Sequence, residues 1–258
     1  MHQTLENENF RAFLRLRSSG VYVSKVDRFT PAGRVLMEGD TILEVDGERV
    51  ADDGTFSFRG DERLGFLWLL RRLHVGAEVT VLILRAGEEL RVSWTLEERR
   101  VLVPSLPLVE NEAWPAYFTV GGLVFAPFSM PFLVHAYGND WRKACPVRLQ
   151  DRLSAFREHE HEQVVVLFQV LRAELNHGYT FTSLELEKFN GNEVVTLAGL
   201  AAAVDLCLAG EEPYLNFAFV GGTRVVLSRA ECLASSQAIM EQHGISKDRL
   251  NLDKFPAE

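Results

Sequence analysis

Two dipeptides, Asp46-Gly47 and Asn190-Gly191, constrain the fold of this chain more than any other feature. A two-residue hairpin loop needs positive φ at its central residues, and Asp-Gly and Asn-Gly supply it at low steric cost. Asp46-Gly47 closes a run that starts at Gly20. Gly20-Val21-Tyr22-Val23-Ser24-Lys25-Val26 reads as a strand and Pro31-Ala32-Gly33 as a turn with a short helix. Glu38-Gly39-Asp40 then reads as a tight turn, and residues 41–46 as a strand whose Ile42 and Val45 flank a half-buried surface. Asn190-Gly191 likewise closes a strand over residues 184–189.

Downstream of each hairpin the pattern switches to helical spacing. Residues 61–73 are predicted as one helix, with Asp61 as N-cap and Phe66, Leu69, Leu70 and Leu73 as its apolar stripe. Residues 197–208 are predicted as another. Two strands follow in each case: 79–85 and 90–96, joined at Ala86-Gly87-Glu88, then 214–220 and 223–228, joined at Gly221-Gly222. A last helix is expected over 229–242. The shared order is a weak internal repeat and points to two duplicated domains, 1–100 and 117–258. Between them Pro104, Pro107 and Pro115 mark a linker over 101–116. The second domain opens on a strand over 117–125, is partly helical over 140–156 and has an apolar strand over 163–171. The fold class is α+β, β-rich, each domain a partly open barrel or sandwich capped by helices.

The net charge is -9, with basic residues scattered, which argues against nucleic acid and anionic membrane as partners. No apolar run approaches the roughly 18 residues that cross a bilayer, so membrane insertion is not expected. The N-terminal residues have neither a signal peptide's apolar core nor a transit peptide's Arg/Ser bias, so no address is visible. Cys145, Cys207 and Cys232 are few, odd in number and far apart, and read as buried thiols.

The run from Gly20 to Gly47 resembles a PDZ domain, a module that binds by adding a peptide strand to the edge of its own sheet. The wider set of motifs is similar to the tandem PDZ region of the plant and algal Deg proteases, relatives of HtrA. In the first half the likeness rests on Glu38-Gly39-Asp40, Gly54-Thr55, Phe58-Arg59, Glu62-Arg63, Phe66 and Arg85-Ala86-Gly87-Glu88. In the second it rests on Gly122-Leu123-Val124-Phe125-x-Pro127, Tyr137-Gly138-Asn139-Asp140-Trp141, Gln169-Val170-Leu171, Asn176-x-Gly178-Tyr179 and His243-x-Ile245.

The resemblance implies a region that handles substrates without catalysing. The family's serine lies in Gly-Asn-Ser-Gly-Gly, which this chain lacks, so no catalytic residue is assigned. The implied partners are unfolded or extended polypeptide segments and other subunits of a homo-oligomer. Family members occur in chloroplast or nucleus. A free-standing adaptor without a protease is the alternative.

In the second domain the implied peptide site combines a loop at Val120, Gly121, Gly122 and Leu123 with a receptive edge strand at Val124, Phe125 and Ala126. Leu197, Leu200, Ala201 and Val204 form its helical wall. In the first domain Leu64, Phe66, Leu67 and Leu70 form the wall. There the family's ligand loop lies before a segment matching Gln3-Thr4-Leu5-Glu6-Asn7. Only Met1 and His2 precede it here, so this groove is expected to be incomplete and residue 1 to be a truncation point.

Other candidates carry less. Glu158-His159-Glu160-His161-Glu162 is metal-like, but it lacks the spacing of a zinc helix and reads as a solvated loop. His74, His135, His177 and His243 are scattered. Neither Gly121-Gly122 nor Gly221-Gly222 is followed by the Lys-Ser/Thr of a phosphate loop. No metal and no cofactor is assigned.

Overall fold

Asp46 and Asn190 take up φ of 50° and 46°, and Gly47 and Gly191 follow at 84° and 86°, so both dipeptides turn as their composition requires. The computed structural model describes residues 1–98, 101–104 and 116–252. The chain divides into two compact units, Met1–Arg99 and Arg100–Glu258.

The first unit runs β1 (His2–Thr4), α1 (Glu8–Phe13), β2 (Val21–Val23), α2 (Pro31–Val35), β3 (Thr41–Val45), β4 (Glu48–Arg49), β5 (Thr55–Arg59), β6 (Glu62–Gly65), α3 (Leu67–Arg71), β7 (Glu78–Arg85) and β8 (Glu88–Thr95). Its main sheet is antiparallel in the order β1-β2-β3-β7-β8, with β4 beside β3. Val21, Ile42, Val45, Val79, Val81 and Ile83 alternate inward from it onto Phe56, Phe66 and Leu69. Asp40, 1% exposed, accepts two hydrogen bonds of 2.7 Å from Arg85, which also donates to the Val35 carbonyl. One fork thus ties β3, β7 and α2 together. Its charge-assisted geometry raises the Arg85 pKa.

One expectation fails in this unit. Residues 61–73 are not one helix. Residues 55–65 form a separate hairpin in which Phe56 faces Leu64 and Ser57 faces Arg63, and only 67–71 are helical. Gly60 at φ 54° turns the chain where the helix was expected to begin, so Asp61 caps nothing. The aromatic pattern Phe56-x-Phe58 pairs as a strand and stacks on Trp68, and that packing overrides the helical spacing.

The second unit runs β9 (Tyr117–Val120), β10 (Leu123–Pro127), α4 (Met130–Tyr137), α5 (Trp141–Ala144), α6 (Val147–Arg152), β11 (Val165–Val170), β12 (Leu184–Phe189), β13 (Asn192–Glu193), α7 (Leu197–Ala209), β14 (Tyr214–Phe219), β15 (Arg224–Ser228), α8 (Arg229–Gln242) and β16 (Arg249–Leu250). The sheet order is β15-β14-β12-β11-β10-β9-β16, with β13 beside β12. Neither large sheet closes into a barrel.

Helix α7 starts where Thr196 accepts a hydrogen bond from the Gly199 amide. It buries Leu197, Leu200, Ala201 and Val204 against Phe118, Phe125, Phe217 and Leu227. A second cluster, with Phe128, Leu133, Trp141 and Leu149, lies under α4 to α6 and includes Leu102 and Val103. The stretch preceding Ala116 therefore begins as part of this core. Residues 105–115, which make up most of the expected linker, lie outside the described residues.

Candidate functional site

Laid side by side, the two units share one plan. In each, a strand is followed by helix, strand, short helical turn, strand, hairpin, helix and a closing pair of strands. The order β1-β2-β3-β7-β8 corresponds to β10-β11-β12-β14-β15. By this match β1 and β10 are equivalent. Among the described residues β10 is paired on both sides and β1 on one.

In the first unit β1 is paired, among the described residues, with β2 alone. Val23 spends its amide and carbonyl on the β3 side, bonding Asp40 and Gly39. Alternation along an antiparallel ladder then makes Gln3↔Tyr22 the bonded pair and turns the amides and carbonyls of His2 and Thr4 outward. All three β1 residues are exposed. The His2 ring meets Phe66 edge-on at 4.9 Å, which places the start of α3 next to this edge. Partial desolvation of the imidazole, with the N-terminal ammonium nearby, lowers the His2 pKa. Phe66 itself is 3% exposed, Leu64 and Leu70 are half-buried, and Leu67 is 38% exposed. Of the four wall residues expected from the sequence, Leu67 is therefore the apolar group most open to a ligand.

In the second unit the edge expected to receive a peptide is filled. β10 is bonded to β11 on one side and to β9 on the other, with Val124↔Thr119 and Phe125↔Phe118. Val124, Phe125 and Ala126 thus have no free edge, a correction to the sequence reading. Gly121-Gly122 is the turn of the β9–β10 hairpin and not a loop open to a carboxylate. Gly121 and Gly122 have φ of 55° and 81°. A Cβ on Gly122 would lie 2.5 Å from Asn176 Nδ2 and 2.6 Å from the Leu171 carbonyl oxygen, so only glycine fits. Asn176, 2% exposed, donates to the carbonyls of Gly121 (2.9 Å) and Leu171 (2.7 Å) and accepts from the Ala173 amide (3.0 Å).

Val120, Leu123, Phe125, Leu197, Leu200, Ala201 and Val204 do come together, but as core. Phe118 (1% exposed) and Val120 (5%) of β9 are packed in the same core as α7. Burying two such side chains is worth about 3–6 kcal/mol, which holds β9 on the sheet. A second covering follows: β16 pairs with the outer side of β9, with Arg249↔Phe118 and Leu250↔Tyr117.

Sequence reasoning missed β1 and β16, which at three and two residues carry no periodic signal. It also missed Asn176, although Asn176-x-Gly178 stood out as a motif. The acidic-histidine run is a loop in which Glu162 accepts from the amides of Glu158 and His159, and His159 lies 3.9 Å from Glu193. Among the described residues no three His, Cys, Asp or Glu side chains gather as metal ligands, and no helix is long and apolar enough to cross a membrane. All three cysteines are buried thiols.

Comparison with known proteins shows the family. Two family models, each described as PDZ domain, match residues 12–96 and 106–251. Protease Do-like 2, chloroplastic, of Arabidopsis thaliana is 33% identical over 96% of this chain and 40% of its own length. Putative protease Do-like 3, mitochondrial, of the same plant is 25% identical over 80% of the chain and 35% of its own length. Protease Do-like 4, mitochondrial, is 26% identical over 95% of the chain and 44% of its own length. The chain spans about two-fifths of the length of these relatives.

Proposed function

Because this chain belongs to the PDZ domain family and matches the tandem PDZ region of Deg-type proteases, we propose that it is the peptide-handling part of a serine endopeptidase and does not itself cleave. The first unit binds extended polypeptide segments as a strand added along β1, with apolar side chains resting on α3. The second unit, its matching edge closed by β9, serves the architecture of the parent protein and the contacts between its subunits.

The position of β1 beside the start of α3, with Leu67 exposed there, supports this reading best. β1 offers the outward amides and carbonyls of two residues beside exposed Leu67, whereas β10 offers none. Main-chain hydrogen bonds supply affinity in such strand addition, and alternate side chains supply selectivity. The test is titration of the chain with extended apolar peptides, followed by amide NMR. Shifts are expected at residues 2–4 and 64–71. Shifts centred on 123–126 and 197–204 would place the site in the second unit and reject the assignment. For the catalytic half of the proposal, the chain is incubated with casein and a serine-directed phosphonate. Neither turnover nor labelling is expected, and stoichiometric serine labelling with turnover refutes it.

A further inference from the structure

The outermost strand of the second unit is held differently from everything beneath it. Phe118, Thr119 and Val120 of β9 are buried, but no residue of 245–252 is. β16 adds only two residues to the ladder. The Thr119 amide donates to the Asp248 carbonyl (2.7 Å), and the Tyr117 hydroxyl donates to the Lys247 carbonyl (3.0 Å). What fixes the segment is Arg249. Its guanidinium donates to both carboxylate oxygens of Asp205 on α7 (2.7 and 2.8 Å) and also to Asp248 beside it (2.8 and 3.1 Å), and lies 5.2 Å from the centre of the Phe118 ring. The Asp205 and Arg249 side chains are 48% and 36% exposed, so the clamp faces solvent. Leu252 then rests on the core cluster.

A carboxylate that takes a planar fork in bidentate fashion, an aromatic face beneath the cation and a strand edge in register form a selective receptor for arginine. We propose that the outer edge of β9 is a strand-docking site for extended peptides carrying an arginine opposite Asp205 and an aliphatic residue directly after it. The segment 247–252 is its built-in, displaceable occupant. This site is separate from the β1 edge and does not depend on it. The occupant in place states the ligand chemistry: the arginine fills the clamp, the next residue continues the ladder, and a leucine three positions after the arginine reaches the core.

The experiment uses the whole chain and a fluorescent peptide copying residues 245–252. In R249E the strap carries an acid against Asp205 and is expelled. The variant is expected to bind the peptide at least tenfold more tightly than the unaltered chain, with amide shifts at 117–120 and 205. The same peptide with its arginine replaced by alanine is expected to bind at least tenfold more weakly. A charge exchange guards against a folding defect in R249E. D205R expels Arg249 by repulsion, and should bind a peptide bearing glutamate at the arginine position in preference to the arginine peptide. Circular dichroism checks that each variant is folded. No gain of binding in either folded variant overturns the proposal, as do shifts confined to residues 2–4 and 64–71. Wild-type dimers held through exchanged 247–252 segments, with no peptide binding by R249E, would assign the edge to a second copy and also overturn it.

Discussion

Replacing Thr4 by proline tests whether β1 is the edge that receives peptides. Thr4 lies opposite Val21, in a pair whose amides do not bond each other, so its N–H points away from the sheet. Proline there removes one outward donor and leaves the bonds between Gln3 and Tyr22 intact. An edge strand tolerates proline when the missing N–H faces solvent. The residue before proline is pushed to extended backbone, which Gln3 already has as part of β1. The fold should therefore survive. A bound strand loses one backbone hydrogen bond worth about 0.5–1.5 kcal/mol net, or roughly a 2–13-fold rise in Kd. Gln3→Pro is the contrasting control, because it removes an inward bond and destabilises the unit itself. The assay is isothermal calorimetry with a fixed apolar peptide, alongside thermal unfolding of each variant. An unchanged Kd in T4P with an unchanged Tm refutes the outward orientation of Thr4 or the site at β1.

Three further outcomes are expected. Asn176→Ala leaves the carbonyls of Gly121 and Leu171 and the Ala173 amide without their partner, and at about 1–3 kcal/mol per buried orphan it should cost about 3 kcal/mol or more in urea unfolding. Burial pushes the Cys232 thiol up to about 11, so at pH 8 it should resist alkylation in the folded chain and react at the ordinary rate in denaturant. His2 should titrate by NMR with a midpoint below its ordinary value of 6.5. Because the unfolded chain takes up that proton first, the first unit should lose stability as pH falls below 6.5, and His2→Gln should reduce the loss.

Much of the fold was legible locally. Asp46-Gly47 and Asn190-Gly191 turn because their φ demands are met within two residues. Thr196 and the spacing of Leu197, Leu200 and Val204 define α7 for the same reason, as Ser228 does for α8. The repeated order of elements, and with it the family, followed from such short-range signals placed in sequence. The helix expected over 61–73 was not decided locally. Its apolar spacing is compatible with helix or strand, and the pairing of Phe56 with Leu64 and the stacking on Trp68 chose the strand for its first half.

The state of each sheet edge was likewise a tertiary matter. Val124 and Phe125 have the sequence of a receptive strand, and β1 matches their position in the fold. Whether an edge is open depends on what else pairs with it. In the second unit that is set by a hairpin whose turn must carry glycine at 122 to clear Asn176, 54 residues beyond it in the chain. The clamp of Arg249 on Asp205 spans 44 residues and a two-residue strand, too short to carry any periodicity. Residue identity at single positions determined the turns, caps and apolar faces. Only the folded chain, by bringing distant segments into hydrogen-bonding register, determined that β10 is covered on both sides.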